Sequence, residues 1–170
     1  TEKTLRQVVE LAQNGDWPPD LILLTGDCVQ YACPQGYARL RNVLAPLAIP
    51  CYCLPGNHDT PLLMETELNQ GNIRYQRQIL IGNWHMVMLD SSIPDSAAGR
   101  LEEKEFALLE QLLVQQADRH TAVLLHHQPV PVCSEWLDTM ALPPTNRERL
   151  FQLLGRHPQV RLLLWGHIHQ

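Results

Sequence analysis

Residues 51–61 read Cys51-Tyr52-Cys53-Leu54-Pro55-Gly56-Asn57-His58-Asp59-Thr60-Pro61. The apolar run Cys51–Leu54 is the length of a buried strand, and Pro55-Gly56 ends it. Thr60-Pro61 then offers an N-cap and a first-turn proline, so a helix is expected to about Leu68. Between strand and helix stand an amide, an imidazole and a carboxylate on successive residues. A strand that ends in polar residues and is followed by a helix is the repeating unit of an α/β fold.

The same arrangement recurs three times. Leu21–Leu24 runs into Gly26-Asp27, Ala122–Leu125 into His126-His127, and Val160–Trp165 into Gly166-His167-Ile168-His169. In open α/β sheets, ligands bind beyond the carboxyl ends of the strands, so Asp27, Asn57, His126 and His167 are predicted to converge. A carboxylate, an amide and several imidazoles in one place make a divalent-metal site, and the glycines let backbone approach an ion or a phosphate. His167 and His169 alternate on an extended segment and therefore point the same way. Singly these pieces are common: Gly-Asp is a frequent turn, and one of two adjacent histidines is often a core imidazole. Four of them at strand ends carry the metal-site reading.

Outward from these segments, Leu5, Val8, Val9 and Ala12 keep helical spacing up to Asn14-Gly15, and Gln35–Leu44 reads as a second helix. Leu21–Leu24 follows Pro18-Pro19-Asp20 as a continuous apolar run, the pattern of a strand buried on both faces. Ile79–Ile81 and His85–Leu89, joined at Gly82-Asn83, read as a β-hairpin. Residues 102–117 place Phe106, Leu109 and Leu113 on one helical stripe. Thr145 and Glu148 form a capping box for a helix through Leu154. No repeat, low-complexity tract or linker interrupts this alternation, which indicates one α/β domain over residues 1–170 with a mixed sheet.

The chain of 170 residues is 45% apolar and 18% charged, a globular composition rather than a disordered one. Its net charge of −5 shows no basic footprint for nucleic acid, and no apolar run reaches membrane-spanning length. Two bound divalent cations would nonetheless reverse the local sign and attract a phosphate. The five cysteines at 28, 33, 51, 53 and 133 form no disulfide framework and read as reduced thiols of a cytoplasmic protein. Cys51 and Cys53 are expected on one sheet face.

The segments at 26–27, 56–59, 126 and 166–169 resemble four of the five motifs of the calcineurin-like metallophosphoesterases: Gly-Asp, Gly-Asn-His-Asp, a His after a strand, and Gly-His-x-His. The likeness extends to Leu-Asp-Ser at 89–91, Leu-Leu-His-His-Gln-Pro at 124–129, Trp-Leu-Asp at 136–138 and Gly-His-Ile-His-Gln at 166–170. Among subfamilies the chain is most similar to the bacterial class III 3′,5′-cyclic-AMP phosphodiesterases. Protein Ser/Thr phosphatases carry Glu where Asp59 stands, and purple acid phosphatases carry Tyr where Gln30 stands.

The resemblance implies a four-layer αββα sandwich with mixed sheets, and two divalent ions, Mn, Fe or Zn, in an intact parent protein. It implies that Asp27 bridges the metals, that Asn57, His126 and His167 complete one metal's ligands, and that His169 serves the other. His126 rather than His127 fits the pattern. His58 would contact the phosphate and protonate the leaving oxygen, and Asp59 would orient His58 by accepting its other ring hydrogen. The implied reaction is attack of a metal-bridging hydroxide on 3′,5′-cyclic AMP or a related small phosphodiester.

The family's first motif, Asp-x-His, does not occur in these 170 residues. The expectation is a fold incomplete at both ends, lacking the Asp-x-His strand and the C-terminal strands. At most one well-occupied metal and poor activity are expected of this chain by itself. A metal-depleted scaffold that binds a protein partner is the alternative from another functional class.

Overall fold

The computed structural model describes residues 2–169; Gln170, quoted with the last motif, lies outside the described residues. The elements follow in the order α1 (Glu2–Gln13), β1 (Ile22–Leu24), α2 (Pro34–Leu44), β2 (Cys51–Cys53), α3 (Pro61–Glu67), β3 (Ile73–Tyr75), β4 (Gln78–Ile81), β5 (Trp84–Met88), α4 (Glu103–Gln115), β6 (His120–Leu125), α5 (Glu135–Asp138), α6 (Pro144–Gly155) and β7 (Val160–Trp165). A short 3-10 turn at Ala45–Leu47 extends α2. Among the described residues, no helix is long and apolar enough to cross a membrane.

Two sheets form. The first is parallel, in the order β1-β2-β3, and the second is mixed, in the order β4-β5-β6-β7, with an antiparallel hairpin leading into two parallel pairs. Strand alternation then sorts side chains into layers. On the first sheet Ile22, Leu24, Cys51 and Cys53 face Tyr37, Leu40 and Met64 of the covering helices. On the second, Val87, Val123 and Leu125 face Phe106, Leu109 and Leu150 of α4 and α6. The residues between (Leu23 and Tyr52 from one sheet, Met86, Ala122 and Leu124 from the other) pack with Leu54, Ile79 and Met88 into an inter-sheet core. The layers are thus helix, sheet, sheet, helix. Truncating a buried Leu in such a core typically costs 2–5 kcal/mol.

Some local expectations gave way. β1 is half-buried along its length, being the outer strand of the first sheet among the described residues. The Thr145 capping box does not form: Pro143 takes the N-cap position, Pro144 starts α6, and no side chain caps it. The Thr60 hydroxyl makes no cap bond either, although Pro61 does begin α3. Both prolines fix the helical φ at a position whose N–H needs no partner, so helix entry does not depend on the cap. All five cysteines are free, and Cys51 and Cys53 share the helix-covered face as expected.

His85 shares the helix-covered face of β5 with Val87, is 0% exposed, and neither ring nitrogen has a partner. Burial, assisted by the nearby Arg119 charge, lowers its pKa below 6.5. A lowered folded-state value means the unfolded chain binds the extra proton first. The associated stability is therefore present above pH 6.5 and declines as pH falls through the folded value. His85→Leu should raise the unfolding free energy at pH 7 by about 1 kcal/mol and flatten its fall toward pH 5.5. Denaturant melts at both pH values check this, and an unchanged pH dependence would refute it.

Candidate metal centre

The parallel registers bring the ligand-bearing loops together. Leu24 pairs with Cys53, and the Leu54 N–H donates to the Leu24 carbonyl at 3.1 Å, so the Gly26 and Gly56 loops leave the first sheet side by side. Leu125 pairs with Trp165, and the Gly166 N–H donates to the His126 carbonyl at 3.0 Å, which aligns the other two loops. The His126 Nδ1–H then crosses between the sheets to the Thr25 carbonyl at 2.8 Å.

That bond orients the site. A carbonyl only accepts, so Nδ1 of His126 carries the proton and Nε2 presents a lone pair. Around Nε2 lie Asn57 Oδ1 at 3.2 Å, His167 Nδ1 at 3.1 Å and Asp27 Oδ2 at 3.3 Å. Four electron-rich atoms converge on a point that only a proton or a cation can reconcile. A carboxylate, an amide and two imidazoles are a donor set for a borderline divalent ion such as Mn, Fe or Zn. The residues present therefore fit a metal.

Backbone strain marks the same place. Asp27 has φ 51°, His167 φ 66° and Gly26 φ 95°, all in the left-handed region. A non-glycine residue held there costs on the order of 1 kcal/mol, and such strain gathers at functional sites.

Burial pushes the Asp27 carboxyl up, but bonding and attraction to His126 when that ring is protonated, with help from the His58 backbone N–H and ring, outweigh this and hold it at about 2. The His58 N–H donates to Asp27 Oδ1 at 3.1 Å. Burial, reinforced by the charge of His126, lowers the pKa of His167. The site therefore favours an ionised Asp27 carboxylate beside a neutral His167 ring, as metal binding requires of these two ligands.

His127 is buried next to His126, yet both its nitrogens are already engaged, Nδ1 with Ser91 Oγ at 2.8 Å and Nε2 with the Ala97 carbonyl at 3.2 Å. One nitrogen of His127 lies within 4.8 Å of one on His126 and one on His167, close enough for the three rings to share an ion, but it is already committed to a partner of its own. Burial, with the neighbouring His126 and His167, lowers its pKa to about 3. His169 is exposed and lines a cavity of about 720 Å³ together with Asp27, His58 and Arg39.

His58 is exposed, and its Nδ1–H donates to the Gln30 carbonyl at 3.0 Å. The expected Asp59–His58 bond is not made. Asp59 is buried and turned inward: Oδ2 accepts the N–H groups of Cys28 and Gly56, each at 3.0 Å, and Oδ1 accepts the Tyr37 hydroxyl at 3.1 Å. Burial raises its pKa, against the pull of these three donors. Asp59 thus ties the Asp27 loop to the Asn57 loop, while a backbone carbonyl orients His58. Nothing near the motifs in sequence points to Tyr37 or Thr25; Gln30 stands out only as the position of the purple acid phosphatase Tyr, and Ser91 only by its place in Leu-Asp-Ser.

The sequence model described as calcineurin-like phosphoesterase matches residues 1–170. The 3′,5′-cyclic adenosine monophosphate phosphodiesterase CpdA of Pseudomonas aeruginosa is 41% identical over 172 residues, covering 100% of this chain and 61% of that protein. The 3′,5′-cyclic-nucleotide phosphodiesterase alr5338 of Nostoc sp. is 38% identical over 151 residues, covering 89% of this chain and 56% of that protein. The CpdA of Escherichia coli K12 is 35% identical over 171 residues, with 100% and 62% covered. This chain thus spans about six-tenths of the length of these relatives. Among solved structures, TT1561 of Thermus thermophilus aligns with a TM-score of 0.59 at 17% identity, over 96% of this chain and 75% of that one, a likeness of fold.

Proposed function

The chain belongs to the calcineurin-like phosphoesterase family, and from that premise we propose that the protein hydrolyses 3′,5′-cyclic AMP, or a closely related cyclic nucleotide, to a nucleoside 5′-monophosphate. The observation that carries this is the convergence of Asp27, Asn57 and His167 on Nε2 of His126, in a chain 34–41% identical to proteins named for that activity. Asp27, Asn57, His126 and His167 would hold one divalent cation, and Asp27 and His169 would face a second. Bound divalent ions supply Lewis acidity toward the phosphoryl oxygens and lower the pKa of water.

The chain's own residues supply the rest. Because the Gln30 carbonyl takes the Nδ1 proton of His58, Nε2 is the free end of that ring. In its protonated form His58 donates from Nε2 to the departing 3′-oxygen. Asp59 keeps the Asp27 and Asn57 loops in register through Cys28 and Gly56. Arg39, on the wall of the adjoining cavity, adds positive charge where an anionic substrate enters.

Full-length protein assayed with cyclic AMP and with bis-p-nitrophenyl phosphate tests this reading. Turnover of both should vanish on chelation and return with added Mn²⁺. Turnover of the aryl diester alone would displace the cyclic-AMP assignment, and metal-dependent turnover of neither would end the enzyme reading.

A further inference from the structure

His127 is fully buried, adjoins a metal-site residue in sequence, and has both ring nitrogens engaged by Ser91 and Ala97. The Ala97 carbonyl only accepts, so His127 Nε2 carries the proton. Nδ1 is then an acceptor, and Ser91 Oγ donates to it at 2.8 Å while accepting the His127 backbone N–H at 3.2 Å. Ser91 and His127 are thus joined by two bonds that fix the ring's tilt, flip and tautomer together.

The faces and edges of that ring are also in use. Its centroid lies 4.8 Å from that of His167, with 46° between the planes. It lies 4.9 Å from that of His126, nearly perpendicular at 88°. Behind it runs Gly99, where an added Cβ would come within 2.6 Å of His127 Nδ1 and closer still to the ring carbon beside it. The wall does not yield, because the Gly99 N–H is held by the Met140 carbonyl and the Arg100 N–H by the Ser91 carbonyl, each at 3.0 Å. An immobile ring therefore stands wedged between the 91–99 loop and both imidazoles of the donor set.

We propose that Ser91 and His127 are positioning residues for the metal centre: Ser91 locks the His127 ring, and that ring sets the separation and tilt of the His126 and His167 imidazoles. The inference rests on the metal-centre reading. Ring spacing matters because coordination tolerates errors of only about 0.2 Å in donor position, a tighter demand than apolar packing makes.

Cobalt(II) binding to the full-length protein, followed by calorimetry and by the visible spectrum of the bound ion, tests the inference. Ser91→Ala deletes the hydroxyl and should weaken cobalt binding by on the order of tenfold, the low end for partners that orient ligand imidazoles, and should shift the cobalt bands. His127→Asn, which keeps an acceptor for Ser91, should retain more affinity than the similarly sized His127→Leu. Metal-free melting temperatures are measured alongside. A wild-type cobalt affinity and spectrum in Ser91→Ala overturns the inference and leaves the metal reading intact. So does a lowered melting temperature with an unchanged cobalt spectrum, since a merely structural role would give that. Failure of the wild-type protein to bind cobalt overturns the metal reading and the inference with it.

Discussion

Replacing Asp27 by Asn is expected to lower cyclic-nucleotide hydrolysis by the full-length protein by on the order of 10³-fold. Asn accepts a left-handed backbone about as readily as Asp, so the φ of 51° is no obstacle. Its amide oxygen can still accept the His58 N–H now bound at 3.1 Å. What it loses is the charge beside His126 Nε2, and with it the carboxylate proposed to hold a cation near the phosphoryl group. A bound metal contributes several kcal/mol to charge stabilisation in such a transition state, and each 1.36 kcal/mol is tenfold in rate. The measurement is kcat at saturating metal, with the melting temperature as control. A loss smaller than roughly tenfold at unchanged stability would remove Asp27 from the reaction.

Gly56→Ala is the second large effect, and it acts by a different route. A Cβ there would sit 2.9 Å from Asp27 Cγ and nearer still to its Oδ1 and backbone N. Those are backbone and a pinned carboxylate, so nothing swings aside. The Asp27 loop would have to lift away from the Asn57 loop, breaking the paired bonds that Cys28 and Gly56 make to Asp59. Overpacking costs 1–3 kcal/mol, and a buried carboxylate stripped of donors costs more. A loss of about 3 kcal/mol in unfolding free energy is expected, together with loss of metal binding. Gly155→Ala is the control: at the end of α6 its Cβ meets nothing within 4 Å, so stability should hold or rise slightly. Equal behaviour of the two variants would refute the close-approach account.

The strand-end segments were readable because each carries two local signals at once, an apolar run that must be buried and a polar residue directly after it. β2, the β4–β5 hairpin, α4 and β7 followed from the same periodicities. Other parts had no local signal. β3 has three residues and a central Arg74, too short for alternation to show. The half-buried state of β1 depends on strand order, which periodicity does not encode. The Asp59 role is not legible locally, because adjacency to His58 is visible in sequence whereas its partner Tyr37 lies 22 residues away on α2. Thr145-x-x-Glu148 has the letters of a capping box, but the two prolines before it already start the helix. The locking of His127 by Ser91, 36 residues apart, exists only once β5 and β6 pair.

Asp27 and Asn57 hang from one sheet, His126 and His167 from the other, with a layer of apolar side chains between. Apolar contact is forgiving of sideways movement: one sheet can slide over its neighbour by a fraction of an ångström while Leu54, Met88 and Leu124 still touch. Coordination is not forgiving, and the same slide would change every distance across the gap at once. The sandwich is therefore a vise, with four donor atoms at the lips of its jaws and its screw in the greasy interior. Side chains remote from the four donor atoms set how finely those jaws meet. Selection for catalysis would accordingly press on the shape of that interior as firmly as on the ligands themselves.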